Sequence, residues 1–87
     1  MKNKRLTLAC NRQVWHGFHL QRGHVFGVVN GVPYVYSGGL SPNPPTRLYL
    51  YRRIENPNVD RWGKISVEAK SDLGQRILAA KWEVNGN

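Results

Sequence analysis

"HVFGVVNGVPYVY", residues 24–36, decides how the chain folds. Asn30-Gly31 lies between two apolar runs, the strongest short-range signal for a two-residue type I′ hairpin, because both turn positions need positive φ. A register follows from that turn. Val29 faces Val32, Gly27 faces Tyr34 and Val25 faces Tyr36, while Phe26 meets Val35 on the opposite side. Pro33 falls opposite Val28 at a non-hydrogen-bonded site, so its missing N–H is lost on the outward flank, which is an edge at that point.

Further strands are expected on both sides of the hairpin. Before it, residues 5–9 form a short first strand. "QVWHGFHL", residues 13–20, forms a second, with Val14, His16, Phe18 and Leu20 on one face and Trp15, Gly17 and His19 on the other. After it, "SGGLSPNPPT", residues 37–46, is a long connection, and loops of this length in small domains are often functional. Then "RLYLYRRI", residues 47–54, places Arg47, Tyr49, Tyr51 and Arg53 on one face and Leu48, Leu50 and Arg52 on the other. A polar loop, "ENPNVDR", leads to "WGKISVEA", residues 62–69, where Ile65, Val67 and Ala69 alternate with Lys64, Ser66 and Glu68. That strand is expected antiparallel to the tyrosine strand.

Ser71 and Asp72 make an N-cap and first turn for a helix running to about Trp82. Leu73, Ile77 and Ala80 form one stripe, but Leu78 and Trp82 project from nearly the opposite side. Such a helix is either sandwiched or ends early, with residues 82–84 as a final strand; the helix is the favoured reading. The fold class is α+β, a small antiparallel sheet or open barrel of about five to six strands with one C-terminal helix.

The chain's 87 residues are enough for one small domain, residues 1–87, with a single modest core. Its net charge of +8 is unevenly spread. Residues 1–54 hold eight Lys and Arg with no Asp or Glu, whereas residues 55–87 hold five of each sign. A basic β-rich part therefore precedes a charge-neutral strand and helix, and its positive field attracts polyanions. The basic start has no apolar run suited to a signal sequence, and no stretch of the chain is long and apolar enough to span a bilayer. A cytoplasmic protein with no membrane association is expected. A single cysteine, Cys10, agrees with a reducing compartment and reads as a small core residue.

The tyrosine strand is the leading candidate for binding. Aromatic rings stack on bases while Lys and Arg follow the phosphates, and Arg47, Tyr49, Tyr51 and Arg53 supply both kinds of group. Arg52, Lys2, Lys4, Arg5, Arg12 and Arg22 add phosphate contacts. The expected partner is nucleic acid, DNA or RNA, contacted without catalysis. The alternative is an acidic protein surface: a small accessory protein, of the kind phages and plasmids encode, would inhibit or redirect a host complex through the same face. Edge strands leave room for a homodimer.

Other chemistry has weaker support. His16, His19 and His24 with Arg22 contain the groups for metal-independent RNA cleavage, a base, an acid and a cation. No recognised zinc spacing joins them to Cys10, so no metal or other cofactor is expected. "RGHVFGVV", residues 22–29, shares Arg22, Gly23 and Phe26 with the first ribonucleoprotein motif of RNA-recognition domains. His24, Val25 and Val29 depart from it, and nothing supplies that domain's first helix, so that family is rejected. Trp15, Trp62 and Trp82 read as core anchors, with Trp15 the most surface-prone of them.

Overall fold

The computed structural model describes residues 5–37, 46–54 and 61–86. Along the chain run β1 (Arg5–Cys10), β2 (Val14–Trp15), β3 (Phe18–His19), β4 (Val25–Val29), β5 (Val32–Tyr36), β6 (Arg47–Ile54), β7 (Arg61–Glu68), α1 (Asp72–Ala79) and β8 (Lys81–Asn85). Six strands form an open sheet in the order β1-β8-β4-β5-β6-β7, and β2 pairs with β3 in a separate two-stranded unit. The fold is thus α+β, with an open sheet and a helix near the C-terminus. Five strands of the large sheet are mutually antiparallel; β1 joins β8 in parallel, with an irregularity between Leu6 and Ala9.

The Asn-Gly hairpin forms as its turn chemistry requires. Asn30 and Gly31 have φ of 53° and 78°, and all five β4–β5 pairs hold the expected register. β6 adds to β5 only through Tyr34↔Arg52 and Val35↔Tyr51. The ladder stops one residue short of Pro33, which has no N–H to extend it. On its other side β6 pairs with β7 over its whole length, antiparallel as expected.

Strand alternation divides the side chains between two faces. Val25, Val29, Tyr34, Leu48, Leu50, Val67 and Ala69 lie on one, where Ile77 of α1 and Trp82 of β8 complete the core. Ser71 caps α1, its Oγ accepting from Gly74 N at 3.0 Å and donating to Glu68 O at 2.6 Å. A cap of this kind stabilises a helix by about 1 kcal/mol.

The helix ends at Ala79, not near Trp82, and residues 82–84 belong to strand β8. The reason is visible in the pattern, which changes period at this point. From Lys81 onward apolar and polar residues alternate, so Trp82 and Val84 share a face that a continuing helix would split. As a strand, β8 lays the Trp82 indole in the same core as Ile77, whose carbonyl accepts from Trp82 Nε1 at 2.8 Å. That indole also explains Gly27, where a Cβ would come within 2.8 Å of Lys81 O and 3.1 Å of the Trp82 ring.

The other face carries a smaller core of Trp15, Leu20, Phe26 and Val35, with Cys10, Phe18, Tyr51 and Trp62 packed around it. Here the sequence expectation needs correction. Residues 13–20 are not one strand, because His16 (φ 49°) and Gly17 (φ 80°) reverse the chain. Val14 then pairs with His19 and Trp15 with Phe18, so Trp15 and Phe18 share the buried side instead of opposing one another. Trp15 is consequently buried, and Trp62 is the most exposed of the three tryptophans.

Asn85 ties this end of the molecule together. Fully buried, it donates from Nδ2 to Gln21 O at 3.1 Å, and its backbone bonds to Gly23 N and His24 O, each at 2.8 Å.

Candidate functional site

β6 presents Arg47, Tyr49, Tyr51 and Arg53 on the face opposite the helix, with Leu48 and Leu50 buried beneath. The β2–β3 unit covers only one end of that row. Phe18 packs its ring 5.2 Å from Tyr51 and 5.0 Å from Trp62, centroid to centroid. Trp62 Nε1 donates to His16 O at 2.9 Å, fastening the small turn to β7. Arg53 Nη1 lies 3.0 Å from His16 Nδ1. A guanidinium only donates, so a hydrogen bond here takes Nδ1 as its acceptor.

Beyond this cover no described element packs over the same face. Tyr49 is 65% exposed, and it has no ring or hydrogen-bond partner among the described residues. Beside it, Arg47 donates from Nε to Ser66 Oγ at 2.8 Å and meets Glu68 at 3.4 Å, both partners being on β7. An ion pair this exposed contributes little to stability and leaves the guanidinium within reach of solvent. Lys64, opposite Tyr51 on β7, holds its ammonium 5.8 Å from the Tyr51 ring centroid, within cation–π range. A shallow depression of about 260 Å³ is lined by Ser37, Tyr49, Leu50, Tyr51, Lys64 and Ile65.

The remaining basic residues disperse. Arg12 reaches the tyrosine face, its Cζ 5.6 Å from the Phe26 ring centroid. Arg52 projects from the helix side of β6 and, with Arg53, Gly31, Val32 and Ile54, lines a second depression of about 280 Å³ at that end of the strand. Arg22 is exposed in the turn between β3 and β4. Arg5 opens β1 at the far edge of the sheet, and Lys2 and Lys4 lie outside the described residues, as do positions 38–45 and 55–60.

Lys64 and Ser37 join the site without having been singled out from sequence. Lys64 belongs to the charge-neutral part, where counting charges draws no attention to it. Its signal was the β6–β7 register, which sets it across from Tyr51.

The histidines are held by local turns. His16 is engaged by Arg53, His24 Nδ1 accepts from Gln21 N at 3.1 Å, and His19 stands exposed opposite Val14. Among the described residues no group of three His, Cys, Asp or Glu is placed to hold a metal ion. Nor is any described helix long and apolar enough to cross a membrane. Burial on the helix side of β5 pushes the Tyr36 phenol up.

Fold and site together define a small open-sheet α+β domain with a basic, partly aromatic face. Comparison with protein-family models, curated proteins and solved structures finds no match for this chain.

Proposed function

We propose that this protein binds nucleic acid through the uncovered part of its tyrosine face, without catalysing a reaction. The observation that carries this reading is Tyr49. It is a large ring excluded from both cores, set on an inner strand between Arg47 and the Tyr51–Lys64 pair. An exposed aromatic with cations on either side matches the chemistry of a polyanion whose bases carry π-faces. The charge of the whole chain, +8, favours the same class of partner.

The test is binding of labelled DNA and RNA oligonucleotides across a salt titration. About four phosphate contacts to a single strand give a slope near −3 for log K against log salt, from counterion release. Negligible affinity at about 50 mM salt, the low end of the usual range, overturns the reading.

One observation favours the second reading, an accessory protein that docks on an acidic partner. β7 pairs only with β6 among the described residues, so its outer edge offers backbone groups to an incoming strand. Recovery of one stoichiometric protein partner after nuclease treatment would favour it.

A further inference from the structure

We infer that the depression between Tyr49 and Tyr51 seats one unpaired base of a single-stranded nucleic acid, stacked between the two rings with Lys64 at its phosphate. This rests on the nucleic-acid reading above and narrows it to a strand type and a contact. Three observations carry it.

The first is spacing. Residues two apart on a strand are separated by roughly 6.8 Å, about twice the roughly 3.4 Å rise of a stacked nucleic-acid strand. Tyr49 and Tyr51 occupy such positions on one face of β6, and both line the depression. One flat ring fits between two others at that separation, whereas a second does not.

The second is size. At about 260 Å³ the depression is smaller than the roughly 300–1,000 Å³ sites that enclose drug-sized ligands, which suits one planar ring system with its backbone outside. A base inside a duplex is already stacked on both sides, so only an unpaired one is free to enter.

The third is an asymmetry between the two rings. Tyr51 is packed against Phe18, with ring centroids 5.2 Å apart, and so is a fixed wall. Tyr49, 65% exposed, has no such packing among the described residues. Lys64 stands by the Tyr51 ring, and an entering nucleotide offers its ammonium a full negative charge in place of a ring quadrupole. Fixing one wall in advance lowers the ordering cost of binding.

The experiment uses the full chain and a single-stranded oligonucleotide carrying one fluorescent aminopurine, at about 50 mM salt, where phosphate contacts are strong. Stacking quenches the aminopurine on binding. Tyr49→Ala lowers affinity about 5- to 150-fold, the range for loss of one base–aromatic stack, and restores the emission. Tyr49→Phe keeps both affinity and quenching, and a blunt duplex of equal length shows no dependence on Tyr49. Salt-sensitive binding that Tyr49→Ala leaves unchanged in affinity and emission overturns this inference while leaving the proposed function standing. Absence of binding to any oligonucleotide overturns both.

Discussion

Tyr49 and Tyr51 are two residues apart on one strand and share a face, yet their surroundings differ sharply. Tyr51 is half-buried against Phe18 and Lys64, whereas Tyr49 is 65% exposed with no ring beside it among the described residues. The difference comes from a segment some thirty residues upstream. The β2–β3 unit spreads Trp15 and Phe18 over the Tyr51 end of the face and stops short of Tyr49. Alternation along β6 decides which side each ring takes; the reach of another element decides whether that ring becomes core or surface.

The comparison breaks most completely if the floor of the covered end is removed. Phe26, 1% exposed, supports Trp15 at 4.8 Å, and Phe26→Ala is expected to cost about 3–5 kcal/mol in a denaturant titration. A cost under about 1 kcal/mol, the level of an ordinary surface change, would show that the small core contributes little. The two tyrosines themselves come next. Tyr51→Ala should destabilise the fold by about 1–3 kcal/mol, and Tyr49→Ala by no more than about 0.5. Equal effects on the unfolding midpoint would erase the distinction.

A smaller effect tests the turn that positions the cover. Gly17 has φ of 80° with open space around its missing Cβ, so Gly17→Ala isolates the backbone penalty, about 1–2 kcal/mol. Wild-type stability in that variant would mean that the positive φ is not needed.

The smallest expected effect is on the helix side. Burial raises the Tyr36 phenol above its usual 10, so the folded state holds that proton more tightly than the unfolded chain. Its contribution is intact below pH 10 and is lost as pH rises through the raised value. Tyr36→Phe should flatten the fall in melting temperature above pH 10, and an unchanged alkaline slope would assign that fall to other groups.

Much of this architecture was legible from residue pattern alone. Asn30-Gly31 specified its hairpin to the residue, because few sequences adopt two consecutive positive φ values without strain. β6 and β7 declared their faces through the alternation of residues 47–51 and 64–68. The His16-Gly17 reversal was hidden by an apparent eight-residue alternation and by a histidine at the first turn position, where Asn or Gly is usual. β8 was hidden by its position directly after a helix, where Trp82 could be counted on either period. Of the candidate site, Arg47, Tyr49, Tyr51 and Arg53 do share a face, but sequence carried no sign that Phe18 and His16 would engage one end of it. Long-range cover of that kind depends on tertiary packing and leaves no local pattern.

The measurement closest to the central claim pairs two readings on one variant, Tyr49→Ala: its unfolding free energy, and its affinity for a single-stranded oligonucleotide at about 50 mM salt. If the exposed ring serves binding and not packing, stability stays within about 0.5 kcal/mol while affinity falls about 5- to 150-fold. Affinity equal to wild type, or a loss of affinity that only tracks a loss of folded protein, would contradict it.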